Sequence, residues 1–189
     1  PSLTVDETNL VVNATASFAG NFTPLFGADA AGSVAYTLNT AGGNSGLTDV
    51  ASGQPVVLVK NGDVIEGHVG NAAGAIAFIV SVNPATGEVT LDQQRALTHP
   101  NAANPDDAVS LAPGAISLQA TVTDRDGDTA QANLNIGNAL TFKDDGPSIS
   151  PNNSPLPSLT VDETNLAINA SASFAGNFTP LFGADAAGS

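Results

Sequence analysis

The 189-residue chain contains no cysteine, no methionine and no tryptophan, and it has a single tyrosine. Without thiols it can form neither a disulfide framework nor a thiolate metal site. Basic residues are almost as scarce: Lys60, Arg95, Arg125 and Lys143 face 18 acids, for a net charge of −14. Such a surface repels phosphate backbones and anionic headgroups, so nucleic acid and lipid surfaces are not expected partners. Cations are its natural counterpart. No apolar run approaches the length of a membrane span, and the sequence opens on Pro1 with no charged and apolar leader. The chain therefore reads as a segment of a longer protein. Its 42% hydrophobic content is enough for a folded core at this length without staples.

What it does have is an internal repeat. Residues 1–33, "PSLTVDETNLVVNATASFAGNFTPLFGADAAGS", return at 157–189 with 30 of 33 positions identical, at an offset of 156. The changes are Val11/Ala167, Val12/Ile168 and Thr15/Ser171. Solenoid units run about 20–50 residues, so a period this long implies a whole domain in a tandem array. Interchangeable units suit length and multivalency better than dedicated chemistry, which argues against an enzyme. The stretch "GPSISPNNSPLPS", 146–158, carries four prolines and should be extended, semi-rigid and outside any central strand. The expected organisation is one complete repeat over 1–147, a linker over 148–158, and the beginning of the next repeat over 159–189. A permuted domain completed by the last 33 residues is the alternative. Near-identical ends also allow a domain-swapped homodimer.

Nearly every regular segment has strand character. Residues 56–69 give two β-branched runs around Asn61-Gly62-Asp63, and 76–93 repeat the pattern around a turn at 83–87. Ile116, Leu118, Ala120 and Val122 alternate before the turn at 124–128, and Ala130, Ala132, Leu134 and Ile136 alternate after it, so both arms should turn one apolar face to a core. "SVAYTLN" and "ALTFK" read as further strands, and "DQQRAL" at 92–97 as the one helical turn. The expected fold is all-β, an antiparallel β-sandwich that is immunoglobulin-like in the broad sense.

Nine of the 18 acids fall in four clusters: Asp6-Glu7, Asp124/Asp126/Asp128, Asp144-Asp145 and Asp162-Glu163. A hairpin turn would draw Asp124, Asp126 and Asp128 together. At 4–5 Å and an effective dielectric near 20, each pair repels by roughly 3–4 kcal/mol. One neighbouring Arg125 does not offset three such terms, which points to a bound cation. All-oxygen donors favour Ca²⁺ over zinc or copper, although the glycine spacing is not that of an EF-hand loop. The alternative is an ordinary Asp-Gly hairpin tip with its charges spread and solvated. Asp144-Asp145 leave the last strand and Asp162-Glu163 open the next copy, so a cation shared between them would stiffen the joint. Asp29 and Asp185, in the two "FGADAAG" loops, and Asp106-Asp107 are weaker candidates.

Here the sequence resembles a family. "LTVDETNL", "FTPLFGADAAGS", "YTLNTAGGNSGL", "TVTDRDGDTAQANLNIG" and "FKDDGPS" occur in the order found in tandem repeat domains of giant type I-secreted bacterial RTX adhesins, over residues 3–148 and again from 159. The resemblance implies an extracellular, cell-surface extender module that projects an adhesive tip for adhesion or biofilm formation, with Ca²⁺ stiffening the stalk and neighbouring repeats as its partners. By motif it carries over Asp124, Asp126, Asp128, Asp144, Asp145, Asp162 and Glu163 as cation-proximal residues. The Gly-Gly-x-Gly-x-Asp nonapeptides of the full adhesins are absent from this sequence.

Other chemistries are poorly supplied. A glycosidase needs paired acids in a sugar cleft, and the chain lacks tryptophan for such a platform. Glu66 and His68 share a strand face as a solvated pair rather than a zinc site, His99 stands alone, and "GGNSG" lacks nucleophile-elbow spacing. Asn13 and Asn21 head glycosylation sequons of little weight. The competing function is a module that binds a carbohydrate or surface polymer through loops such as 40–46, acting by avidity over many copies.

Overall fold

The computed structural model describes residues 1–28 and 32–185. The strands are β1 (Leu3–Asp6), β2 (Ala14–Ser17), β3 (Ser33–Asn39), β4 (Gly43–Thr48), β5 (Pro55–Asn61), β6 (Val64–Val69), β7 (Ile76–Val82) and β8 (Glu88–Gln93). They continue with β9 (Ala108–Ser110), β10 (Ser117–Thr123), β11 (Thr129–Asn135), β12 (Leu140–Lys143), β13 (Ser148–Pro151) and β14 (Phe178–Leu181). Single 3-10 turns supply the only helical residues among those described. Among the described residues no helix is long and apolar enough to cross a membrane.

One layer is a six-stranded antiparallel sheet in the order β2-β8-β7-β6-β5-β4. Two three-stranded sheets, β11-β10-β3 and β1-β12-β9, pack against it, which makes the fold an all-β sandwich as the alternation implied. Alternation decides which side of each strand is inside. Leu118 and Ala120 of β10, Val56 and Leu58 of β5, and Val89 and Leu91 of β8 face the core. The layers meet at Phe78 and Phe142, whose ring centroids lie 5.1 Å apart at a tilted angle.

The β5–β6, β7–β8 and β10–β11 hairpins form where the turn residues lie. Gly62, Gly87 and Gly127 all take positive φ in these turns, a conformation that side chains with a Cβ disfavour. Two expectations need correction. The "DQQRAL" segment is not helical: β8 runs on to Gln93, and Gln94 and Arg95 donate backbone bonds to the Ala77 carbonyl. Ala130 and Ala132 of β11 are exposed because β11 is an edge strand overhanging the layer beneath, and only Leu134 and Ile136 of that arm pack inward. Within this antiparallel sandwich one pair runs parallel, β1 with β12, from Leu3↔Leu140 to Asp6↔Lys143.

The two copies of the 33-residue repeat behave differently. In the first, β1 pairs with β12 and β2 with β8, and Leu3 is 1% exposed. In the second, residues 159–162 and 170–173 form no strand, and Leu159 is 51% exposed. The reason is physical: a strand needs a partner ladder and a core to cover. Both partners of the first copy, β12 and β8, are already in use. Among the described residues of the second copy only β14 finds a mate, the connector strand β13, in a two-stranded antiparallel ribbon.

Candidate functional site

Acidic residues converge in two places. The first is the β10–β11 turn, where one carboxylate oxygen from each of Asp124, Asp126 and Asp128 lies within 4.8 Å of the others. Asp124 organises this turn locally. Its Oδ1 accepts the main-chain N–H groups of Gly127 at 3.1 Å and Asp128 at 2.8 Å, and its own N–H donates to the Asp128 carbonyl. One of the three carboxylates therefore has a structural role, while Asp126 and Asp128 are exposed.

The second is the joint between the copies. β12 ends at Lys143, whose Nζ donates to Asp106 Oδ1 at 2.6 Å, and the Asp144 N–H donates to the Asp107 carbonyl at 2.9 Å. Asp107 Oδ2 in turn accepts the Asn101 N–H at 3.0 Å. Asp106 and Asp107 thus fold the 101–107 loop beside the acids that follow β12. From the second copy, Asp185 comes to meet Asp144 and Asp145, again with oxygens within 4.8 Å of one another. A cavity of about 290 Å³ lies here, bounded by His99, Pro105, Asp144, Asp145 and Asp185. Burial raises the Asp185 pKa above the ordinary carboxylate value; Asp144 and Asp145 push it further, and His99 partly opposes them. Asp145 Oδ1 and Asp185 Oδ1 are buried without a hydrogen-bond partner among the described residues. A buried carboxylate oxygen left unpaired is costly unless something fills the place of water.

The joint also reaches inward. Asp6 caps the 3-10 turn after β1 by accepting the Thr8 N–H at 2.9 Å, and the Thr8 side chain, helped by that main-chain bond and by Lys143, holds its pKa below the ordinary value against the opposing effect of burial. The turn buries Glu7, which is 2% exposed. Glu7 Oε1 accepts Gln93 Nε2 at 2.8 Å and the Leu97 N–H at 2.9 Å, and His99 Nε2 lies at 3.4 Å. Glu7 Oε2 and His99 Nδ1 are buried without partners among the described residues. Glu7, His99 and Asp144 form a third group whose ligand atoms fit within 4.8 Å, so Asp144 belongs to two groups. Burial pushes the Glu7 pKa up to about 7 despite the Leu97, Gln93 and His99 contacts that lower it. These groups of side chains could hold a metal ion.

The second copy's opening acids do not reach this place. Asp162 Oδ1 accepts the Thr164 N–H at 2.8 Å and the Thr164 hydroxyl, which lowers its pKa, and both Asp162 and Glu163 are exposed. The expectation that Asp162-Glu163 face Asp144-Asp145 is replaced by Asp185, twenty-odd residues further on, because β13–β14 pairing draws that turn to the joint. Its counterpart Asp29 lies outside the described residues. His99 was missed altogether: it is 92 residues from Glu7, and nothing local announces the contact.

Glu66 and His68 pair at 2.8 Å, and the other His68 nitrogen faces the Gly74 carbonyl at 2.9 Å. Both ring nitrogens are thus engaged within the chain. A further pair, buried at Asp49 and half-buried at Arg95, has no sequence signature: Arg95 makes two hydrogen bonds to Asp49, at 2.7 and 3.2 Å, while Ser52 donates to the same carboxylate. Burial raises the Asp49 pKa, but Arg95 and Ser52 outweigh it and the net shift is downward.

A family model described as "Domain of unknown function (DUF5801)" matches residues 2–137. No curated protein and no solved structure matches the chain.

Proposed function

The chain belongs to the DUF5801 family, and from that premise we propose that it is a non-catalytic extender module of a large secreted bacterial surface adhesin, stiffened by Ca²⁺. In this reading residues 1–147 form one repeat, 148–158 the connector and 159–189 the start of the next repeat. Tandem copies carry an adhesive tip away from the cell. The observation that carries the reading is the joint: Asp185 of one copy meets Asp144 and Asp145 of the other, with two buried oxygens unpaired. Hard oxygen donors crowded in this way suit Ca²⁺, which accepts six to eight oxygens in flexible geometry. The residues that would hold it are Asp144, Asp145 and Asp185. Asp126 and Asp128 offer a second, more solvated set at the hairpin tip.

A cation held by carboxylates from both copies would convert a proline-rich connector into a fixed angle. The carbohydrate-binding alternative has less support, because both hydroxyls of the loop it needs are already engaged within the fold. Thr40 Oγ1 donates to the Ala115 carbonyl and Ser45 Oγ to the Val56 carbonyl, the latter fully buried. Small-angle scattering and thermal melting of the 189-residue chain, with Ca²⁺ and with EDTA, test the extender reading. Ca²⁺ should raise the melting temperature and narrow the distribution of shapes; identical curves in both conditions would sink it.

A further inference from the structure

We propose that residues 21–28 of the first copy are a strand-docking site, and that its occupant is the closing segment of the preceding repeat, of the sequence type Asp-Asp-Gly-Pro-Ser-Ile-Ser-Pro-Asn. The inference rests on the tandem-array reading above and adds to it the means by which repeats are joined.

The chain contains this interaction once, between its own closing segment and its second copy. β13 and β14 pair antiparallel from Ser148↔Leu181 to Pro151↔Phe178. The ladder is extended at one end by the Asn152 N–H, which donates to the Asn177 carbonyl at 2.8 Å. In an antiparallel pair, hydrogen-bonded and non-hydrogen-bonded positions alternate. The Asn152 bond therefore places Pro151 and Pro180 at non-hydrogen-bonded positions, where the missing N–H costs nothing. Side chains lock the same end: Asn152 Nδ2 donates to the Gly176 carbonyl, and Asn177 Nδ2 donates to the Ser154 carbonyl at 2.9 Å. Asn177 is only 7% exposed as a result. At the other end Asp145 Oδ2 accepts the Ala184 N–H, in line with the same register.

The first copy presents the same surface with no strand paired to it among the described residues. Asn21, the counterpart of Asn177, is exposed, as are Thr23, Pro24 and Leu25. Its backbone is already in the docked shape. Phe22 has φ −113° and ψ 142°, against −121° and 143° at Phe178, and each follows the same 3-10 turn. Gly27 has φ +67° and Gly183 +69°. A site that needs no rearrangement pays little ordering cost on binding. Main-chain pairing would supply affinity, and the asparagine clamp the register, as in other β-strand additions. Beside the site an apolar groove of about 300 Å³ runs between Phe22, Leu25, Val34, Val122, Ala130 and Ala132. Among the described residues β13 and β14 form a two-stranded sheet of their own with no further strand beside it, and there Ile149 is 68% exposed. In the array the connector isoleucine would have this groove to cover.

The absence of cysteine makes capture chemistry clean, since an introduced thiol is the only one present. The probe is a synthetic peptide of residues 144–158 bearing Ser150→Cys, its sulfur activated as a 2-thiopyridyl disulfide, so that the thiolate of the full chain bearing Thr23→Cys attacks it and releases pyridine-2-thione; Thr23 is the counterpart of Thr179, which faces Ser150. The rate of mixed-disulfide formation is divided by the rate with a scrambled peptide. We expect a ratio at least tenfold above that for the exposed control Asp63→Cys, and a fall to the control value when Asn21→Ala is added. Asn21 is exposed, so this variant should melt as the parent does. A Thr23→Cys ratio equal to the control, or one insensitive to Asn21→Ala, overturns the proposal. Calcium plays no part in the assay, so its outcome is separable from that of the stiffening experiment.

Discussion

Asp145 Oδ2 accepts a hydrogen bond from the main-chain N–H of Ala184 at 2.9 Å, so an acid that ends one copy of the repeat grips a turn of the next. The grip depends on Gly183, where a Cβ would come within 2.2 Å of the Asp145 carboxylate.

Cation binding at the joint should therefore respond to substitutions on both sides of it. Asp185→Asn and Gly183→Ala are each expected to weaken one class of Ca²⁺ site at least tenfold in calorimetric titration, while Asp126→Ala with Asp128→Ala removes a different class. Titrations of all three variants that superimpose on the parent would mean that no Ca²⁺ sits at either place.

The duplicated segment offers an internal control for tertiary context. Leu3→Ala should destabilise the chain by about 2–5 kcal/mol, the usual range for emptying a buried leucine site. Leu159→Ala, in an identical sequence window but half exposed, should stay within about 0.5 kcal/mol. Urea unfolding of both variants decides; equal losses would contradict the packing difference between the copies.

Glu7 should impose a pH dependence of its own. Its pKa is raised from 4.5 to about 7 in the folded chain, so the folded state takes up a proton more readily than the unfolded state. The stabilisation from that proton is fully present below about 4.5 and is lost as pH rises through about 7. The titratable groups facing Glu7 are His99 and Asp144. In EDTA, melting between pH 5 and 8 should fall with rising pH for the parent and be flatter for Glu7→Gln. Parallel profiles would show that Glu7 does not titrate in this window.

Arg95→Ala should cost about 2–3 kcal/mol, because it removes the charged partner of a carboxylate only 1% exposed. Asp49 has a depressed pKa, so its contribution is present above the unfolded carboxylate value and lost as pH falls below it. The deficit of Arg95→Ala measured by urea unfolding at pH 7 should shrink below pH 4; a constant deficit would assign the loss to packing alone.

The parts legible in the sequence were those with local causes. Gly62 and Gly127 mark hairpin turns, and the alternation of Leu118 and Ala120 marks a buried face, because the period of two and the turn chemistry are properties of neighbouring residues. The parallel alignment of β1 with β12 has no local signature, since it depends on which strand ends meet after the chain has closed. The same is true of the joint. Asp185 looked like one loop acid among several, and His99 like a lone histidine, until the β13–β14 ribbon and the 101–107 loop brought them beside Asp144. Conversely, Asp162 and Glu163 have the right composition but lack the pairing that would carry them there. Identical strings adopted different structures for the same reason.

The parallel pairing of β1 and β12 also has a mechanical meaning. A pull on the chain entering β1 and on the chain leaving β12 acts at opposite ends of their four-residue ladder. Such a pull slides the strands along one another and loads the ladder's bonds together, whereas a hairpin pulled from its open end surrenders its bonds one at a time. A tether made of such units should yield in large, discrete steps under tension, and single-molecule stretching would record a higher rupture force for the parent than for a variant with Thr141→Pro in β12.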